Sequence, residues 1–137
     1  MIGISNKTVY AVAAMQELSK HQNGNVLKIK EIAANANIPQ NFLEQILLEL
    51  KKKSLLTSIK GAYGGYKLSC DLKDVTLKDI ILILESDSFS DVCKTDDPGL
   101  RLFWDDVRNK ITEAFNIPLS ELKNYQLQAN KVLNYTI

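Results

Sequence analysis

The stretch IKEIAANANIPQNFLEQILLELKKKSLLTSIKGAYGGYKL, residues 29–68, decides the fold. Ile29, Ile32, Ala33 and Ala36 recur at i, i+3, i+4 and i+7, which predicts a helix over residues 28–37 with one apolar stripe. Asn37 and Ile38 read as a turn, and Pro39 suits the first turn of a second helix running to Lys53. That second helix carries Leu43, Ile46, Leu47 and Leu50 on one side. Gln40, Asn41, Glu44, Gln45 and Lys52 face away from the stripe, with Phe42 on a flank. Three lysines, Lys51 to Lys53, close it with charge that suits the helix dipole. LLTSIK, residues 55–60, then reads as a strand, GAYGG, residues 61–65, as a turn, and YKLSC, residues 66–70, as the return strand. Tyr66 and Leu68 share one face of that strand and Lys67 takes the other. A helix-turn-helix followed by a wing is a unit that lays one helix in a DNA groove.

The side chains fit that use. Gln and Asn pair bidentately with adenine and Glu accepts from the cytosine amino group, so Gln40, Asn41, Glu44 and Gln45 are base-reading types at the start of a recognition helix. The competing reading makes them the polar surface of an ordinary amphipathic helix, and the wing directly behind them weighs against it. Gly61, Gly64 and Gly65 permit positive φ and a close approach at the wing tip. Lys60 beside that tip suits a minor groove, whose negative potential attracts cations.

Bulk properties agree. A chain of 137 residues fits one domain plus an appended element, and a 45% hydrophobic content supports a core. No apolar run approaches the ~18 residues of a membrane span. The opening MIGISNKTVY lacks the apolar region of a signal peptide, so a cytoplasmic protein with no membrane partner is expected. Cys70 and Cys93 are too few for a disulfide framework or a structural zinc site. Net charge is +1, yet residues 1–70 carry +5 and residues 71–137 carry −4. Local basicity in the helix-turn-helix half is what phosphate backbones select for, against the alternative of chance asymmetry on two solvated faces.

Outside the central stretch, Ser5 or Asn6 caps an N-terminal helix, TVYAVAAMQELSK. Val9, Tyr10, Val12, Ala13, Met15 and Leu18 leave it little polar face, which predicts extensive burial. Lys7 at its start projects toward any bound backbone, or is an ordinary surface lysine. His21, the single histidine, lies in the polar turn HQNGN and reads as a solvated loop residue. Beyond the wing, Thr76 and Asp79 form a capping box at a helix whose stripe is Leu77, Ile80, Ile81 and Leu84. This helix completes a winged DNA-binding domain over residues 1–85. Residues 86–99 form an acidic loop, for sensing or disordered. Leu100, Phe103, Trp104, Val107, Ile111 and Ala114 then mark a long amphipathic helix. Its aromatic face fits a second copy of the chain better than the chain's own core. Two-fold pairing spaces two recognition helices by a turn of DNA or a multiple, hence a palindromic operator. Residues 100–137 are thus a dimerisation helix and a tail, with Tyr125 and Tyr135 packing on the winged domain or on the partner. The expected fold class is mainly α with a small β-hairpin: a winged helix-turn-helix plus a long dimerisation helix.

SNKTVYAVAAM, the run FLEQILLELKKKSLLTSIKGAYGGYKL and VTLKDIILILE together resemble the Rrf2 family of bacterial winged-helix transcription regulators over nearly the whole chain. The most specific parts are LEQ, residues 43–45, and KGAYGGY, residues 60–66. Among its members the chain most resembles the cluster-free regulators of cysteine metabolism, which share the GAYGGY tip and an aromatic tail like NYTI. The resemblance implies a homodimeric, double-stranded-DNA-binding regulator, usually a repressor. Carried over by position, DNA contacts fall on Gln40, Asn41, Phe42, Glu44 and Gln45 of the recognition helix, and Lys52 joins them from its outward position on the same helix. On the wing they fall on Lys60, Gly61, Tyr63, Gly64 and Gly65, and near the first helix on Lys7 and Tyr10. Two departures stand out. The family commonly has Arg where this chain has Lys60, and Gly-Arg where it has Thr8-Val9. A lysine lacks the planar fork of arginine and reads a groove less specifically, so operator preference is expected to differ.

Many members of the resembled family bind an iron–sulfur cluster through three cysteines in the loop. Cluster ligation is chiefly a task for several thiolates, and this loop holds one, Cys93. Asp91, Asp96 and Asp97 are ligand types, but read better as solvated loop carboxylates. No cofactor is therefore expected. A redox-responsive Cys93 is the alternative, opposed by acidic neighbours that disfavour its thiolate. The resemblance instead implies a signal from a regulatory partner protein such as a cysteine-biosynthesis enzyme. An enzyme is the rival class: there is no phosphate-binding loop, nucleophile elbow or histidine pair, so none is expected. A winged helix used only for protein contact is the other rival, and it would not need Gln40, Asn41 or Lys60.

Overall fold

The computed structural model describes residues 4–21, 25–85 and 95–135, the last with side chains to residue 133. Cys93 and Asp91 of the loop, and the side chain of Tyr135, lie outside the described residues. The elements run α1 Asn6–Ser19, α2 Ile29–Ala36, α3 Gln40–Lys52, β1 Leu56–Ile59, β2 Gly65–Leu68, α4 Leu77–Leu84, α5 Pro98–Ala114 and α6 Leu122–Tyr135. Short 3-10 turns, Leu72–Asp74 and Leu119–Glu121, precede α4 and α6. Among the described residues no helix is long and apolar enough to cross a membrane.

The core is where the first four helices and the hairpin meet. Ala11, Ala14, Met15 and Leu18 of α1 pack with Ile32 of α2, Leu43, Ile46, Leu47 and Leu50 of α3, Leu56 of β1 and Ile80 of α4. Each fully buried leucine or isoleucine contributes about 1.5–3 kcal/mol, so α3's four-residue stripe outweighs any difference in helix propensity. α1 sits in the centre of this arrangement. Its buried side is set by the alanines, which bring neighbouring backbones close, and not by every large residue along it. Val9 is half exposed, contrary to the expectation of a nearly all-round apolar face. Thr8 takes the buried position beside it.

A two-stranded hairpin is marginal alone. Here β1 and β2 pair antiparallel with Leu56 opposite Leu68 and Ile59 opposite Gly65. Leu56, Tyr66 and Leu68 turn toward the core, and Thr57, Ile59 and Lys60 stay exposed. The far edge of β2 is closed by Leu27, whose amide donates to Tyr66 O at 2.9 Å and whose carbonyl accepts from Tyr66 N at 2.7 Å. This bridge before α2 has no apolar alternation of its own and gives no strand signal in the sequence.

The capping box is present: Asp79 N–H donates to Thr76 Oγ1 at 3.1 Å and Thr76 N–H donates to Asp79 Oδ2 at 3.0 Å. Thr76 is the N-cap itself, one residue before the helix. The next two free donors of α4 are met from far along the chain. Leu77 N–H donates to Ile117 O and Lys78 N–H to Phe115 O, both at 2.9 Å. Leu119 N–H returns a bond to Val75 O, and Leu119 is buried in the core. The end of α5 is thereby docked on the winged unit, as Leu122 is at the start of α6. The helices on either side are different. α5 buries no residue, and α6 exposes Tyr125, Leu127, Val132 and Leu133.

His21, expected as a solvated loop residue, lies beside Glu17, one helical turn upstream, with Nε2 to Oε1 at 3.5 Å. Buried Glu17 also accepts from Asn35 Nδ2 at 3.1 Å and Lys20 Nζ at 3.3 Å. It ties α1 to α2.

Candidate nucleic-acid interface

The turn between α2 and α3 is built from three residues with different tasks. Asn37 adopts the left-handed conformation, φ 54°, that Asn tolerates best after Gly, and its N–H bonds back to Ala33 O. Ile38 is buried and anchors the turn. Pro39 is the N-cap, φ −58°, rather than the first helical residue, and α3 starts at Gln40. No side chain caps the start of α3.

The buried stripe of α3 fixes its opposite face. Asn41, Gln45, Leu48 and Lys52, at i, i+4, i+7 and i+11, form the outermost row, and all four are exposed. Gln40 and Glu44 lie on one flank, also exposed. Phe42 and Glu49 lie on the other flank, against α1. Phe42, 54% exposed, meets the Tyr10 ring with centroids 6.2 Å apart and planes tilted by 51°. Lys7 Nζ donates to Glu49 Oε1 at 2.8 Å. The fold therefore gathers Gln40, Asn41, Phe42, Glu44, Gln45, Lys52 and Tyr10 on one surface. It also places Lys7 there, with its ammonium engaged by α3's own carboxylate. Leu48 was hidden in the sequence by its company: in the run Ile46-Leu47-Leu48 only two side chains can face inward, and the third falls among the polar groups.

The wing forms a second projection. Gly64 N–H donates to Gly61 O at 3.0 Å, closing a turn with Ala62 and Tyr63 at its tip. Tyr63 is 96% exposed and Lys60 is exposed at its base. Gly61 has φ +109°, a conformation that favours glycine. At Gly64 a Cβ would stand 2.0 Å from the Ile59 carbonyl oxygen, and at Gly65 2.5 Å from that of Leu27. The glycines are thus demanded by chain crossing as much as by φ.

Behind the interface a polar contact joins α4 to α1. Buried Thr8 donates to Glu85 Oε2 at 2.6 Å. Partial burial pushes the Glu85 carboxyl up. The Ser5 hydroxyl, the Thr8 hydroxyl, the Ser5 amide and the nearby charge of Lys7 outweigh it and hold the carboxyl below its ordinary value of 4.5. The Ser5 hydroxyl acts from outside strict hydrogen-bond geometry. A carboxylate with a depressed folded pKa adds stability at neutral pH, and that stability drains away as pH falls through the folded value. Glu85→Gln is therefore expected to lower stability at pH 7, by an amount that shrinks as the pH falls below the ordinary carboxylate value. Urea unfolding across that range checks this, and a loss independent of pH would contradict it. The contact occupies the Thr8 position at which the sequence departs from the pattern of the family it resembles.

Cys70 follows β2, where its Sγ donates to Leu55 O at 3.6 Å. Burial, then the charges of Asp71 and Asp74, push this thiol up and away from the thiolate form.

Comparison with known proteins gives a consistent result. The family model described as "Rrf2: Iron-dependent Transcriptional regulator" matches residues 4–128. The HTH-type transcriptional regulator CymR of Bacillus subtilis is 34% identical over 124 residues, covering 89% of this chain and 90% of the relative. The HTH-type transcriptional regulator IscR of Vibrio campbellii is 28% identical, covering 95% and 80%. Among solved structures, CymR, "the Global Cysteine Regulator of B. subtilis", superposes with a TM-score of 0.77 at 34% identity over 91% of this chain and 98% of that one. T. potens IscR does so with 0.74 at 30% identity, over 93% and 90%.

Proposed function

The chain belongs to the Rrf2 family of transcriptional regulators, and from that premise we propose that it acts as a homodimeric repressor reading a palindromic operator. It is a DNA-binding regulator and not an enzyme. In the proposed complex α3 enters the major groove, Gln40, Asn41, Glu44 and Gln45 read base edges, and Lys52 meets a phosphate. Phe42 and Tyr10 pack against the backbone beside them, and Lys7 approaches the same strand while bridged to Glu49. The wing lays Lys60, Gly61, Tyr63, Gly64 and Gly65 along the flanking minor groove. The observation that carries this reading is the exposed face opposite α3's buried stripe, with Asn41, Gln45 and Lys52 in its outermost row and Gln40 and Glu44 on its flank.

Glu44 is assigned to a cytosine amino group. Glu44→Ala is expected to relax preference at one base pair per half-site, at a cost of about 1–3 kcal/mol for the matching base. Affinity measured on duplexes varied at each position checks this. An unchanged preference removes Glu44 from the reading set. Lys60→Ala is expected to weaken all duplexes alike and to lower the slope of log affinity against log salt by about one. An unaltered slope takes Lys60 off the backbone.

The donor set does not suit an iron–sulfur cluster. The chain has two cysteines, and the one in the described residues, Cys70, is a half-buried thiol held protonated beside the wing. Three loop thiolates, the arrangement the family resemblance implies for cluster-bearing members, are replaced here by Cys93 alone. We therefore assign sensing to a regulatory partner protein. The likeness to a global cysteine regulator supports cysteine metabolism as the regulated process, and a cysteine-biosynthesis enzyme is the partner type that the family resemblance implies.

A further inference from the structure

We infer that Leu48 reads the C5-methyl group of a thymine, a role that rests on the DNA-interface reading above. Leu48 is 50% exposed, whereas Leu47 and Leu50 on either side of it in the helix are fully buried. It takes no part in the core cluster. The other large apolar side chain exposed on α3, Phe42, is engaged with Tyr10. Leu48 stands in the outermost row, between Gln45 and Lys52. A lone exposed leucine needs no explanation on an arbitrary surface. On the face of a helix aimed at base edges it meets a groove floor whose apolar feature is the thymine methyl.

Asn41 and Leu48 are seven residues apart on one helix face, about 10 Å along its axis. The thymine is therefore a different base from the one read by Asn41, in the same half-site. The contact is apolar and needs no proton or water, and it discriminates thymine from cytosine by the methyl alone.

The test uses the full chain and replaces thymine by uracil, which removes the methyl and keeps every hydrogen bond. Duplexes are first selected from a random pool by the wild-type protein, and each thymine of the half-site is then exchanged singly. One exchange per half-site is expected to weaken the wild-type protein about four-fold, from the burial of one methyl-sized group. The same exchange is expected to leave Leu48→Ala unaffected. Because Leu48 is half exposed and outside the core, the variant retains the fold, which circular dichroism verifies. Two results overturn the assignment: a wild-type protein that binds its selected site but tolerates every exchange, or a Leu48→Ala variant that keeps the same sensitive thymine. Failure of the wild-type protein to select any sequence overturns the DNA-interface reading itself, and so is distinct from both.

Discussion

Gly64→Ala is expected to damage the protein more than any change to the exposed groups of the wing. The added Cβ would lie 2.0 Å from Ile59 O, 2.8 Å from Ile59 C and 2.9 Å from Lys60 C. All three are backbone atoms, so no side chain can swing aside. Relief requires opening the turn or pulling β1 away from β2, which breaks the pairing of Ile59 with Gly65. Overpacking of a tight site costs about 1–3 kcal/mol. The Leu27 bridge and the core contacts of Leu56, Tyr66 and Leu68 must absorb it. Thermal unfolding is expected to shift down by several degrees, and DNA affinity to fall with it as Lys60 and Tyr63 lose their placement. Tyr63→Ala makes the contrast: at 96% exposure it is expected to leave stability alone and weaken only DNA binding. A Gly64→Ala protein with unchanged midpoint and affinity would contradict the wing geometry.

The second large effect concerns α5. Leu100, Phe103 and Trp104 are each about half exposed, and Leu102 more so. Phe103 and Trp104 meet edge to face with centroids 5.1 Å apart, and Val107 and Ile111 continue the stripe half-buried. A 17-residue helix with this face and no buried residue is a contiguous apolar patch of the kind that marks an association surface. The double substitution Phe103→Glu, Trp104→Glu is expected to leave the winged unit folded and the chain monomeric. Splitting the proposed dimer would cost the second half-site its effective concentration, so affinity for a palindromic duplex is expected to fall by about 10²-fold or more. Sedimentation reads the mass and anisotropy the affinity. A variant that remains dimeric would move the interface elsewhere, to the exposed side of α6 first.

Much of the fold was legible because helices and strands impose different periods. Leu43, Ile46, Leu47 and Leu50 announce α3 and its core side at once, and Thr76 with Asp79 marks a helix start that the hydrogen bonds repeat. The candidate site was legible to the same extent, since the outward face is the complement of the stripe. What escaped notice shares a physical cause: partners distant in sequence leave no local pattern. Leu27 joins β2 through two backbone bonds and needs no particular side chain. Thr8 is buried because Glu85, at the far end of α4, accepts its hydroxyl. The amides of Leu77 and Lys78 are satisfied by carbonyls beyond α5. Val9 misleads for the complementary reason: its residue type favours burial, but the close packing through Ala11 and Ala14 turns it outward. Of the acidic loop residues, Asp91 lies outside the described residues with Cys93, whereas Asp97 is the N-cap of α5 and accepts from the Leu100 amide at 2.9 Å.

The central claim is that this surface recognises a DNA sequence. Fluorescence anisotropy on the duplex upstream of the protein's own gene, against a scrambled duplex of equal length, tests it across a salt series. The account predicts preferential binding to the first, with log affinity falling linearly in log salt as phosphate counterions are released. Absence of binding to either duplex at low salt would contradict it and return the winged helix to a protein-contact role.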